Sequence, residues 1–351
     1  MLTRILSIDY DGCLASPKFT NSSEKCIIKS NDILLNYILD SSDNFEQTTI
    51  FVGSNRQSFN IDFMNSFHHG NGSCFPQTKK IADYLKEKDV KNINFDNFLL
   101  ADIYGNLEFG ESLKLIEKGP DSEAQYSDWV FDDEKITLTY AQIHKSARDN
   151  LDKNIVYEFC DDRKDILSNL HAFYSQYPDL LPKNVLLKLN FYNGEGISQY
   201  EIDIKGIGNI DSDFRNTVKI MAVISTEMFS ENKRFQMNIE GTSVYFMNPV
   251  KIHPSNDVTP DRIQKYRQEN NIAPESILPE VEDETSNLIL GYMYNIGFSS
   301  LGLGIAASLL GLEPTISCLL LGIGSSILLY GLIMDFIDNG FNFFNNNQLR
   351  L

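Results

Sequence analysis

Close to the start of the chain, an apolar run ends in two carboxylates and a glycine: Ile5-Leu6-Ser7-Ile8-Asp9-Tyr10-Asp11-Gly12. The apolar part reads as a buried strand, and the glycine lets the backbone turn sharply away. In open α/β sheets, ligands bind in the crevice beyond the carboxyl ends of the strands. Two acids at that place, one residue apart, suit a divalent cation and a phosphate better than a core.

The residues that follow carry a matching pattern. Helices are expected over Asn31–Leu39, with Asn31 or Ser30 as the cap, over Lys79–Lys88 and over Lys135–Asp149. Strands are expected over Thr48–Val52, ended by Gly53-Ser54-Asn55, over Asn97–Tyr104, and over Asn154–Phe159, ended by Cys160-Asp161-Asp162. Alternating strands and helices predict an α/β fold, a Rossmann-like parallel sheet covered by helices on both faces. Val185–Phe191, Ser198–Lys205 and Lys219–Ile224 read as antiparallel strands, either added to the sheet edge or forming a small β subdomain. His68-His69 stands among Asn and Gly residues and reads as a flexible loop.

The C-terminal part has a different texture. Leu288–Leu312 and Thr315–Met334 contain no charged residue, and Glu313-Pro314 separates them. A bilayer core of about 30 Å needs roughly 20 apolar helical residues. Both runs meet that length, so a hydrophobic helical hairpin inserted in a membrane is expected. Gly304, Ser308, Gly322 and Ser326 supply small residues four apart that let two helices approach closely. The expected domains are a body over 1–250, with its core over 1–175 and a β extension over 183–250. An acidic, proline-containing linker over 251–285, the hairpin over 286–338 and a tail over 339–351 follow.

A net charge of −18 over 351 residues excludes nucleic acid as a partner, because phosphate backbones are held by basic patches. Five scattered cysteines without a CxxC pair read as free thiols in a reducing compartment. The N-terminal strand lacks the basic and apolar regions of a secretory signal. The expected location is therefore a membrane, with the body facing the cytosol.

Three expected strand ends share one property. They carry Asp9 and Asp11, then Ser54, then Asp161-Asp162-Arg163-Lys164-Asp165. In a parallel sheet these ends lie side by side, and that many carboxylates cannot all ionise together without a cation. Hard oxygen ligands favour Mg2+. The residues after Asp11 lack the oxygen-rich run and terminal Glu of an EF-hand, and no GxxxxGK phosphate loop is present. Cys160 and Arg163 stand too close together for a cysteine-phosphatase loop. Arg56 and Arg163 read as surface residues.

At these positions the chain resembles the haloacid dehalogenase (HAD) superfamily of phosphohydrolases. The family's apolar strand with DxDG matches Ile5 to Gly12, its strand ending in Ser or Thr matches Thr49 to Ser54, and its acidic motif matches Asp161-Asp162 and Asp161 to Asp165. The resemblance implies a HAD-like fold and a Mg2+-dependent phosphatase. Asp9 would attack phosphorus and form an aspartyl-phosphate. Asp11 would protonate the leaving oxygen and then activate water. Ser54 would hold the phosphoryl group. Asp161 would bind Mg2+ with Asp9 and the backbone carbonyl of Asp11, and Asp162 or Asp165 would orient the metal shell. A family lysine that neutralises phosphoryl charge falls on Lys135, which opens the helix before the acidic motif, or on Lys145 in the middle of that helix. The substrate implied is a phosphorylated protein side chain, phosphotyrosine included, or a lipid headgroup. A phosphatase body ahead of a membrane hairpin is also similar to effectors that intracellular bacteria inject into host cells by type IV secretion. The alternatives are a catalytically silent HAD-like scaffold and a membrane-hairpin interaction protein.

Overall fold

The computed structural model describes residues 2–69, 71–88, 90–118, 130–225, 235–239, 242–246 and 250–272. The first half runs β1 (Leu2–Ile8), α1 (Pro17–Thr20), α2 (Ile27–Ser30), α3 (Asp32–Ser41), β2 (Gln47–Val52), α4 (Phe59–His69), α5 (Cys74–Glu87), β3 (Ile93–Phe95), α6 (Leu100–Tyr104) and α7 (Glu111–Lys118). Next come β4 (Val130–Asp132), α8 (Ile136–Asp149), β5 (Asn154–Asp161), α9 (Lys164–Gln176), β6 (Val185–Tyr192), β7 (Ile197–Gln199), β8 (Ile204–Lys205) and α10 (Phe214–Ile224). The described chain closes with β9 (Phe235–Ile239), β10 (Thr242–Phe246), β11 (Val250–Ile252), α11 (Pro254–Asp257) and α12 (Pro260–Glu269).

The central sheet has the order β3-β2-β1-β5-β6-β7, with β8 also paired to β6. Its first five strands are mutually parallel, while β7 and β8 run antiparallel to β6. Successive residues of β1 feed opposite faces, as strand geometry requires. Ile5 joins the core with Ile136, Ile143, Tyr157, Phe159 and Val218. Leu6 and Ile8 join Leu34, Ile38, Ile81 and Leu85 on the other side. Helices therefore cover both faces, and the β1–β2–β5 centre is buried from both, which suits its near-continuous apolar runs.

Several expectations are corrected. Asn97–Tyr104 is not a strand; α6 occupies Leu100–Tyr104, and Asp102 fixes its start by accepting from the backbone N–H of Leu99 at 3.0 Å. Lys219–Ile224 belongs to α10, which begins after Asp213 and buries Phe214, Val218, Met221 and Ala222. A continuous apolar run has no period to separate a buried helix from a buried strand. The strand over Val185–Tyr192 is parallel to β5, not antiparallel. Ser198–Lys205 is split into two short strands, β7 and β8. His68 and His69 end helix α4 and do not lie in a loop. Asn31 precedes α3 but gives it no side-chain cap. Its amide donates to Leu14 O at 3.0 Å and Ile27 O at 2.8 Å, tying the loop after β1 to α2.

The expected linker over 251–285 is, as far as Ile272, structured and packed. Ile252 pairs with Asp132 through the parallel β11–β4 ladder. The Ser255 N–H and Oγ donate to Glu134 at 2.7 and 2.5 Å, and Arg267 pairs with Asp213 at 2.6 Å. Among the described residues no helix is long and apolar enough to cross a membrane. The expected hairpin over 286–338 and the tail lie outside the described residues.

Candidate metal and phosphate site

Strand register brings the site together. Ile8 pairs with Cys160 on one side and Val52 on the other. The Asp9 N–H donates to Cys160 O at 2.9 Å, and the Gly53 N–H to Ile8 O at 2.8 Å. Neighbouring strands lie about 4.8 Å apart, so Asp9 and Asp161 leave adjacent strands at one level. Ligand oxygens of Asp9, Asp161 and Asp162 lie within 4.8 Å of one another.

Gly12 makes room for the third acid. Its φ of +78° is left-handed, and a Cβ there would lie 2.3 Å from Asp162 Oδ2. The turn and the close approach both require glycine.

Lys135 joins the acids from the start of α8. Its ammonium is 2.8 Å from Asp9 Oδ1 and donates to Asp161 Oδ2 at 2.6 Å. It is 3% exposed, Asp9 6% and Asp161 0%. Lys135 is the N-cap of α8 with a left-handed backbone, φ 58°. A non-glycine residue held there costs on the order of 1–3 kcal/mol and persists only where the surroundings enforce it. The surroundings are visible: Asp132 accepts from Glu134 N–H at 2.9 Å, from Thr137 N–H at 2.7 Å and from the Thr137 hydroxyl at 2.7 Å. Ser255 holds Glu134 from α11.

Burial, followed by the charges around it, sets the protonation of this group. Desolvation pushes Asp9 up to about 7, with Lys135 pulling down and Asp161 pushing up. Asp162 rises to about 6 through burial and then Asp161. Burial opposes the Lys135 ammonium, but Asp161 and Asp9 more than offset this and raise its pKa. One cation thus faces three carboxylates. Asp162 Oδ1 is buried and, among the described residues, has no hydrogen-bond partner. Surplus acid and a free hard oxygen fit a divalent cation.

The other expected site residues separate. Lys145 pairs with Asp96 at 2.7 Å and Asp149 at 2.8 Å, away from the acids. Asp165 is exposed and pairs with Arg163. Asp11 does not join the three-acid group; its carboxylate is gripped by Arg56, at 2.7 Å from Nε and 2.6 Å from Nη2. Ser54 is buried at the end of β2, where its Oγ accepts from Arg56 N–H at 3.4 Å. Cys160 is a buried thiol whose pKa burial raises to about 12, unsuited to nucleophilic attack.

Arg56 is the residue that sequence reasoning missed. Far from being a surface arginine, it is 2% exposed, with its guanidinium carbon 5.0 Å from the Tyr10 ring centroid. A signal was present: Asp62 and Ser66, four apart on α4, both face its Nη1. In comparison with known proteins, the chain matches no family model, no curated protein and no solved structure.

Proposed function

We propose that this chain is a Mg2+-dependent phosphate monoester hydrolase of the HAD type, acting through an aspartyl-phosphate on Asp9. One observation carries the reading: Lys135 bridges Asp9 and Asp161, with Asp162 beside them, at the carboxyl ends of adjacent parallel strands. A structural salt bridge would balance its charges, whereas this group keeps more acid than base in a buried place.

In the proposed reaction an Asp9 oxygen bonds to phosphorus while the bond from phosphorus to the leaving oxygen breaks. Asp11 gives its proton to that oxygen. Water then attacks phosphorus, Asp11 takes a proton from it, and the Asp9 carboxylate and inorganic phosphate are regenerated. Lys135 neutralises charge on the phosphoryl oxygens. Asp9, Asp161 and Asp162 would hold Mg2+, which when bound supplies further positive charge to the phosphoryl group. The half-exposed Asp11 carboxylate suits a leaving group on a bulky carrier, a protein side chain or a lipid headgroup. The uncharged runs 288–312 and 315–334 support a membrane-held enzyme.

The test is hydrolysis of p-nitrophenyl phosphate by the full chain, with Mg2+ and with chelator. Activity that needs Mg2+ and vanishes in Asp9→Asn is expected. Metal-independent activity, or activity surviving Asp9→Asn, contradicts the reading. Phosphopeptides, phosphoinositide vesicles and sugar phosphates, run side by side, then identify the carrier.

A further inference from the structure

We propose that Glu134 is a positioning residue for Lys135, and that Ser255, 121 residues further along the chain, completes the site by holding Glu134 in place; this rests on the hydrolase reading above. The strained backbone of Lys135 is the reason a brace is needed. At φ 58° the lysine gains by relaxing to an ordinary conformation. Relaxation would swing its ammonium away from Asp9 and Asp161.

Glu134 stands directly before the strained residue and is buried. Its N–H donates to Asp132 Oδ1 at 2.9 Å. Its Oε2 accepts from the Ser255 N–H at 2.7 Å. Its Oε1 accepts from the Ser255 hydroxyl at 2.5 Å and from Asn169 Nδ2 at 3.2 Å. Backbone and side chain are thus both fixed one residue ahead of the lysine. On the other flank, the Ile136 carbonyl accepts from the Tyr174 hydroxyl at 2.9 Å.

The small parallel ladder sets the contact. Ile252 pairs with Asp132, and the Asp133 N–H donates to Ile252 O at 3.2 Å. The first residues after β4 and after β11 therefore run side by side, which brings Ser255 to Glu134. Pro254 is buried, and the Val258 N–H closes α11 on Pro254 O at 2.8 Å. A hydroxyl and an N–H on the two oxygens of one carboxylate fix its plane as well as its place.

The consequence is kinetic. Lys135 meets charge that builds on the phosphoryl oxygens in the transition state, so losing its position lowers kcat more than it raises KM. A misplacement of about 1 Å can cost about 100-fold.

The experiment uses the full chain, with p-nitrophenyl phosphate and Mg2+ for kinetics and urea unfolding in chelator for stability. Ser255→Ala keeps the N–H bond to Glu134 and is expected to lower kcat about tenfold with KM within about twofold. Ser255→Thr, which keeps the hydroxyl, is expected to stay within about twofold of the parent. A double-mutant cycle with Lys135→Ala separates positioning of the lysine from simple docking of α11. Ser255→Ala is expected to lower the folding equilibrium constant about fivefold more in the parent than in Lys135→Ala. Equal effects in both backgrounds would mean that Ser255 only docks α11, and would overturn the proposal. So would a parent-like kcat in Ser255→Ala. Asn169→Ala, which touches Glu134 from α9, is expected to repeat the pattern and decides the matter if the Ser255 variant unfolds early. A parent protein inactive on p-nitrophenyl phosphate would overturn the hydrolase reading. The unfolding cycle would then still uphold the Ser255–Lys135 link if the effects are coupled, and overturn it if they are additive.

Discussion

Gly12 and Asp162 occupy nearly the same space: a Cβ on the glycine would fall 2.3 Å from one Asp162 oxygen and 2.8 Å from the other. The turn that follows the first acid pair is therefore shaped around the last acid. The acids of two separate motifs are sterically linked, not merely near each other.

Gly12→Ala is expected to damage the site out of proportion to the fold. The left-handed backbone alone costs about 1–2 kcal/mol for a residue with a Cβ. The new methyl must also displace Asp162, so Mg2+ affinity falls by more than tenfold while the protein still unfolds cooperatively. Calorimetric Mg2+ titration alongside urea unfolding checks both parts. Unchanged Mg2+ affinity would show that Asp162 has no part in binding.

Lys135 is expected to matter most when metal is absent. Lys135→Ala leaves Asp9 and Asp161 buried beside each other without their cation. Breaking one partner out of a buried ion pair costs about 3–5 kcal/mol. Mg2+ in the medium is expected to restore part of that loss, since a metal bound to the native state alone stabilises it. Urea unfolding of parent and variant, each with Mg2+ and with chelator, reads the difference. A variant loss that Mg2+ does not reduce would separate the lysine from the metal site.

His144 gives the fold a predictable response to acid. It lies on α8, buried, beside Tyr140 and Asp211. Its Nδ1 accepts from Asp211 N–H at 2.9 Å and its Nε2 faces Leu180 O at 3.0 Å, an arrangement that suits the neutral ring. Burial lowers its pKa below the ordinary 6.5, with Asp211 opposing. The unfolded chain therefore binds a proton here before the native state does. Its contribution to stability is complete above pH 6.5 and is lost as pH falls through the native value, with a slope approaching about 1.4 kcal/mol per pH unit. Asp9, Asp132 and Asp162, whose pKa values burial raises, respond in the opposite sense. The measurement is thus a difference: parent minus His144→Gln stability, from urea curves between pH 5 and 7.5. A difference that shrinks on acidification agrees; one that is flat or grows contradicts it.

The sequence made the middle of the sheet legible for a physical reason. β1, β2 and β5 are buried on both faces, so they appear as short apolar runs closed by Asp or by Gly-Ser. Their common direction then placed Asp9 and Asp161 together without further information. Lys135 was within reach because it opens a helix leading into the acidic strand. Lys145, its rival, betrays an on-helix role through Asp149 four residues on. What stayed hidden depended on tertiary packing. Phe98–Ala101 and Ile220–Ile224 are continuous apolar runs, and only their surroundings placed them in helices. Pro254–Glu269 looked like linker because it is polar and proline-bearing, yet Ser255 and Arg267 dock it onto Glu134 and Asp213. For Arg56 the nearby signal, Asp62 and Ser66, covers only one side of the guanidinium; its other partners Asp11 and Gly72 lie 45 and 16 residues away.

The most direct test of the account is chemical capture of the intermediate. The full chain is incubated with Mg2+ and p-nitrophenyl phosphate, quenched in acid and reduced with borohydride, which converts an aspartyl-phosphate to homoserine. Peptide mass spectrometry then locates the change. Homoserine at position 9, present with substrate and absent in Asp9→Asn, is the predicted result. Turnover with an unmodified Asp9, or a phosphoryl group captured on another residue, would contradict it.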